Sequence, residues 1–144
     1  MSIKLKLQGF DELFTAIQKA GGSIDKATEV CMKQSADTMQ KEIKTQMSKA
    51  GVDNGLINKM PQPELFKDGN AYVALVGYKK GSYSEKNPSV GYKVVFLNYG
   101  TPHRSKHGKV KARGFIQKAK RKATPQIKKQ QEETLKDILS RFEK

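Results

Sequence analysis

The most constraining stretch of this chain is Tyr92-Lys93-Val94-Val95-Phe96-Leu97-Asn98-Tyr99-Gly100-Thr101. It is the densest apolar and aromatic run in a polar sequence. Its β-branched and aromatic residues suit a buried strand, and Gly100 closes it with a turn signal. The run therefore predicts the central strand of a sheet. Phe96 and Leu97, or Val95 and Leu97 according to register, would face the core, and Asn98, Tyr99, Gly100 and Thr101 would form the turn. Directly afterwards the character changes: from His103 to Gln130 there are eleven Lys or Arg and no Asp or Glu, so most of the whole-chain net charge of +14 lies in one segment. Clustering of this kind points to an anionic partner, whether nucleic acid, an acidic protein surface or a membrane face.

At 144 residues the chain reads as a single domain spanning 1–144. Only 36% of its residues are apolar and the mean hydropathy is −0.70, which predicts a modest core with extensive charged surface or segments that order against a partner. Cys31 is the single cysteine, which excludes an internal disulfide framework and a Cys-rich zinc site. It falls on the apolar side of a predicted helix and reads as a buried structural thiol. No apolar run approaches the roughly 18 residues of a membrane span, and the N-terminus lacks a signal-peptide core. These features predict a soluble, intracellular protein with no membrane partner.

In chain order, Ile3, Leu5 and Leu7 alternate with Lys4, Lys6 and Gln8, predicting an edge strand whose outer lysines discourage unwanted pairing. Phe10, Leu13, Phe14 and Ile17 predict a short amphipathic helix ended by Gly21-Gly22. Ser23 or Asp25 caps a second helix, with Ala27, Cys31, Ser35, Met39, Ile43 and Met47 in i, i+4 steps before Gly51; it would run to about 26 residues. Its stripe is thin, so part of it is expected to be exposed or to meet another subunit, unless it is simply a long core helix. Flexible loops are expected near 51–63, 78–91 and 102–113. Between the first two, Asp68-Gly69-Asn70 suits a hairpin turn joining Glu64–Lys67 to Ala71–Val76. From Phe115 the helical period returns. Thr124-Pro125 predicts a break with a new helix beginning at Pro125, or else a kinked continuous helix. The fold class is α+β: a small antiparallel sheet, made of a meander of about three strands plus the N-terminal strand, packed against a long helix and a C-terminal helix.

Catalytic signals are sparse. His103 and His107 are four apart, but Pro102, Gly108 and the flanking lysines make this a loop, and no acid lies nearby to orient a metal site. No phosphate loop, nucleophile elbow or Glu-containing His pair occurs. The expectation is no enzyme, no cofactor and no metal. Arg104, Lys106, Lys109, Lys111 and Arg113 form a Gly-containing basic arm able to follow phosphates or an acidic ring. Lys118, Lys120, Arg121 and Lys122 would spread around a helix. The plain alternative is a solvated positive face that aids solubility.

Val95-Phe96-Leu97-Asn98-Tyr99-Gly100-Thr101, then a loop, then Gly114-Phe115-Ile116-Gln117-Lys118-Ala119, resembles the small tail-component proteins of long-tailed bacteriophages and their prophages. That family shows an apolar strand ending in acid-aromatic-Gly-Thr, then Pro-Phe-Leu or Pro-Phe-Ile with an alanine three residues on. Gly9-Phe10-Asp11-Glu12-Leu13 resembles its N-terminal strand-to-helix entry, and Gly55-Leu56 its mid-chain Gly-Leu. Two positions depart from the pattern: Asn98 stands where an acid is commoner, and Gly114 replaces the usual proline.

The resemblance implies an α+β head-tail joining or tail-completion subunit that assembles as a homo-oligomeric ring at the neck or tail end. Its implied partners are the phage connector, tail-terminator or tail-tube proteins, with non-specific contact to DNA in the neck lumen. It would reside in the host cytoplasm during assembly and then in the virion. The alternative is a nucleic-acid-binding module using the basic 103–130 segment. In either case Phe96, Leu97 and Phe115 are expected as core anchors on each side of the basic excursion.

Overall fold

A computed structural model describes residues 2–7, 9–68, 71–78, 90–100 and 111–143. Eight elements follow in order: β1 (Ser2–Lys6), α1 (Asp11–Lys19), α2 (Ile24–Lys49), α3 (Asn54–Asn58), β2 (Glu64–Asp68), β3 (Ala71–Gly77), α4 (Val90–Tyr99) and α5 (Phe115–Glu143). The three strands form one antiparallel sheet in the order β1-β3-β2, which α2 and α5 back. The architecture is α+β, as the alternating and helical periods predict.

α2 is the hub. Ser23 caps it by accepting a hydrogen bond from the Lys26 amide at 3.4 Å, and the chain leaves it through Gly51 at φ +75°, a conformation suited to glycine. The stripe Ala27, Cys31, Ser35, Met39, Ile43 and Met47 is buried throughout. Met32, Ala36, Gln40 and Gln46 are buried as well, so the covered face is far wider than the i, i+4 stripe alone. The reason is that α2 packs both on β3 and on α5, and two neighbours cover two adjacent sides of one helix.

The antiparallel α2–α5 pair carries polar rungs inside its seam. Gln131 donates to the Ser35 hydroxyl at 2.8 Å, and that hydroxyl donates to the Cys31 carbonyl at 2.8 Å. Thr38 donates to Gln130 at 2.9 Å, and Thr134 to Gln34 at 2.7 Å. A polar seam of this kind is tolerable because its groups answer one another, and it fixes the register of two helices whose apolar content is low.

Beside this seam Cys31 is buried and its thiol is pushed up to about 11 from an ordinary 9.0 by desolvation. The folded state thus holds this proton more tightly than the unfolded chain, so the contribution is complete below pH 9 and is lost as pH rises toward 11. Chemical unfolding followed from pH 8 upward is expected to show stability falling across that interval, by at most about 3 kcal/mol. Cys31→Ser should flatten the decline. A thiol reagent should label the wild-type residue only after unfolding.

Three expectations change on contact with the structure. Tyr92 to Tyr99 lie in helix α4, so among the described residues the sheet has three strands and the meander has two. Among its described side chains, Val94 and Asn98 are buried at i, i+4 spacing, with Val95, Phe96 and Leu97 half-buried around them. A short apolar run fits a helix sunk among neighbours as well as a strand, and tertiary packing overrides β propensity here. Secondly, Thr124-Pro125 does not break the last helix: α5 runs through Pro125. The Thr124 hydroxyl donates to the Lys120 carbonyl at 2.5 Å, and the packing of Ala119, Ala123 and Ile127 continues across the proline.

Thirdly, the 51–63 stretch is anchored. It carries α3, buries Val52, Ile57 and Met60, and is tied by Tyr78, which donates to the Leu56 carbonyl at 2.6 Å, and by Gln40, which donates to the Pro61 carbonyl at 3.1 Å. Burial pushes the Tyr78 phenol up to about 12. Along α5, Lys118, Arg121, Lys122, Lys128 and Lys129 recur at three-, four- and seven-residue spacing on the side away from buried Ala119, Ala123 and Ile127, while exposed Lys120 lies nearly opposite Lys118, so Lys118, Lys120, Arg121 and Lys122 do not share one face. The hairpin turn residues Gly69 and Asn70, most of the 78–91 loop and residues 101–110 lie outside the described residues.

The α1–α2 connection is close-packed. A β-carbon on Gly22 would lie 2.7 Å from Ile17 Cγ2, 2.9 Å from Phe142 Cε2 and 3.2 Å from the Ile17 carbonyl. Ile17 is fully buried and cannot swing away. Gly22→Ala is therefore expected to cost about 1–3 kcal/mol by overpacking. Gly21→Ala meets no atoms and costs only the strain of its positive φ, so denaturation midpoints of the two variants should separate steric from backbone effects.

Candidate functional site

The feature that organises the functional end of the molecule is the junction between α4 and α5. Gly100, at φ +76°, follows the last residue of α4, and its amide donates to the Phe96 carbonyl at 2.8 Å. The chain returns at Arg113 and Gly114. The Arg113 amide donates to the Leu97 carbonyl at 3.1 Å, and the Gly114 amide to the Asn98 carbonyl at 3.0 Å. The two ends of the basic 101–112 segment thus meet at one hydrogen-bonded base.

Asn98 is the key residue of that base. It is 1% exposed, and its side-chain Oδ1 accepts the Ile116 amide at 2.9 Å. The Ile116 N–H is among the first amides of α5 and has no carbonyl within its own helix to meet it. Asn98 therefore caps α5 from another helix. Its Nδ2 is buried without a hydrogen-bond partner among the described residues. Gly114 sits at φ +60°, which proline cannot adopt, and it donates an N–H that proline lacks. Asn98 and Gly114, where the sequence departs from the resembled pattern, are joined by this backbone hydrogen bond.

The expected core anchors divide. Phe115 is fully buried, whereas Phe96 and Leu97 are half-buried and Val94 takes the fully buried place in α4. Of the expected turn, Asn98 and Tyr99 are the last residues of a helix and only Gly100 has a turn conformation. Tyr99, just before Gly100, is 58% exposed. Thr101 lies outside the described residues, as do Arg104, Lys106 and Lys109.

The two described members of the basic arm are exposed and differ in role. Lys111 makes no ion pair among the described residues. Arg113 Nη1 donates to the Ala50 carbonyl at 3.3 Å, where it meets the negative end of the α2 dipole. Arg113 thus pins the base to α2. Composition marked its charge, but a capping contact to a residue 63 positions away leaves no local signal.

The basic face of α5 extends this surface. Lys118, Lys120, Arg121, Lys122, Lys128 and Lys129 are all exposed, and among the described residues none joins an ion pair. Acidic partners first appear further along, where Lys136 pairs with Glu132 at 2.9 Å and Arg141 with Asp137 at 2.9 Å. The arrangement can attract an extended anionic surface. Among the described residues no group of three or more His, Cys, Asp or Glu could hold a metal ion, and no helix is long and apolar enough to cross a membrane. Comparison with known proteins finds no matching family model, curated protein or solved structure.

Proposed function

We propose that this chain is a structural virion protein, a phage head-tail joining or tail-completion subunit that assembles as a ring at the neck or tail end. The single observation that carries the reading is the hydrogen-bonded base at Leu97, Asn98, Arg113 and Gly114, which brings the two ends of the basic segment together. The sequence around that base is the part that resembles the tail-component family. A ring subunit needs a rigid body, surfaces for its neighbours and a charged element aimed at connector or DNA. The packed α2–α5 pair, the open sheet and the basic arm supply these in turn.

Electron microscopy of the protein incubated with connector or tail complexes encoded in the same genome tests this reading. The expected result is added ring density at the end of the particle. A chain that binds neither connector nor tail overturns it.

The second reading, a nucleic-acid-binding module, is favoured by one observation: the unpaired basic face of α5. Duplex-DNA affinity measured against salt separates the two. Binding with a steep negative log-log slope that flattens on neutralising Arg121, Lys122, Lys128 and Lys129 supports the module, and absence of binding at low salt eliminates it.

A further inference from the structure

The sheet ends on a lysine-bearing edge beside a groove. In the order β1-β3-β2, no strand flanks the outer side of β1 among the described residues. Alternate residues of that edge turn their N–H and C=O groups away from β3. Ile3 and Leu5 pack with the core, while Lys4 and Lys6 are exposed on the other face. Where β1 approaches α5 lies an open groove of about 240 Å³, lined by Leu5, Lys6, Thr124, Ile127, Lys128 and Gln131. The uncharged polar liners already have partners: the Thr124 hydroxyl donates to the Lys120 carbonyl, and the Gln131 amide to the Ser35 hydroxyl. Leu5 and Ile127 therefore give the groove apolar contact, and Lys6 and Lys128 give it positive charge.

We infer that this edge takes an extended acidic segment of a partner protein, which adds to β1 as a fourth strand and seats one apolar side chain in the groove. Three features select that occupant. First, a strand edge offers donors and acceptors in alternation, which a peptide backbone answers and a phosphodiester, with acceptors only, does not. Second, side chains of an added strand alternate between its two faces. The one beside Leu5 enters the groove, while its neighbours on either side face Lys4 and Lys6. A dry cavity of roughly 150 Å³ already accepts a benzene-sized group, so the groove has room for a leucine or phenylalanine. Third, Lys4, Lys6 and Lys128 join no ion pair among the described residues, which leaves their charge to a partner.

Lysines on an edge repel a second basic edge, and this chain carries a net charge of +14, so another copy is a poor occupant. An acidic strand turns the same lysines into partners. The acidic stretch it requires is short, because past Lys128 the surface changes sign: Asp11, Glu12 and Glu132 line the next cleft along α5. The site serves either functional reading and requires no ring.

Fluorescence anisotropy of a labelled peptide titrated with the full chain tests the site. The probe carries one leucine among glutamate and threonine residues and is expected to bind at physiological salt. Lys6→Glu with Lys128→Glu should weaken binding about tenfold, and a peptide with lysine in place of glutamate should recover it on that variant. Lys33→Glu with Lys41→Glu makes the same change in net charge at exposed positions of α2. That control should leave binding within about twofold, because salt screens distant charges. Of two peptides methylated on alternate backbone nitrogens, one in each register, one should lose binding. Amide resonances of Ser2–Lys6 should shift when the parent peptide is added. Binding that survives methylation in both registers, or that falls equally with the α2 lysines, would overturn strand addition in favour of charge alone. No peptide binding even at low salt would overturn the site, as would duplex DNA binding through Lys4, Lys6 and Lys128 where the peptide does not. None of these outcomes bears on ring assembly, which electron microscopy decides.

Discussion

Phe115→Ala is expected to destabilise the protein by about 3–5 kcal/mol, a large part of the roughly 5–15 kcal/mol that holds a typical domain together. Phe115 is the largest fully buried side chain among the described residues. It opens α5 within the same cluster as Met39, Ile43 and Met47 of α2 and Val94 of α4, so its removal leaves a cavity where three helices meet. Urea unfolding should show a large fall in midpoint. Phe115→Leu, which refills most of the volume, should recover more than half of the loss.

Asn98→Ala ranks second, at about 2–3 kcal/mol, because it removes a helix cap and leaves the Ile116 amide buried without an acceptor. Asn98→Asp keeps an oxygen acceptor at the positive end of α5, so its loss should be smaller than that of alanine. Gly114→Pro should fail in a different way, since it removes the amide that donates to the Asn98 carbonyl and forbids φ +60°. As the two residues share one junction, Asn98→Ala and Gly114→Ala should be non-additive in a double-mutant cycle, whereas Asn98→Ala and the distant Gly22→Ala should add. Hydrogen exchange at the first turn of α5 is the local readout: faster exchange there in Asn98→Ala, with the α2 core still protected, would show that the cap has been lost rather than the fold.

The fold was legible wherever one period dominated. Ile3 and Leu5 against Lys4 and Lys6 marked β1 and its edge position, and the stripe from Ala27 to Met47 marked α2 over its observed length. Gly51 was legible as a stop because its positive φ suits few other residues. The reading failed where the period was silent. Tyr92 to Leu97 is apolar on nearly every side, so neither a period of two nor one of 3.6 stands out, and the β-branched residues tipped it toward strand while packing made it helix. Pro125 was read by its local cost, which continuous burial of Ala123, Ile127 and Leu135 outweighs.

The candidate site was half legible. Charge density located the basic arm and the α5 face, and the punctuation at Gly100 and Gly114 located its ends. What the sequence concealed is the wiring: Asn98 serving an amide 18 residues on, and Arg113 serving a carbonyl 63 residues back. Contacts of that range follow from the packing of α4 against α5 and α2, which no local pattern encodes. They also bring the two ends of the basic segment to one hydrogen-bonded base, which its charge alone does not reveal.

The measurement that tests the proposed function most directly is native mass spectrometry of the full chain titrated onto a phage connector complex. Ring assembly requires one closed stoichiometry, with bound copies appearing together rather than one at a time, and with binding weakened as salt screens the basic surface. Independent, open-ended addition of single copies, or no addition at all, would contradict it.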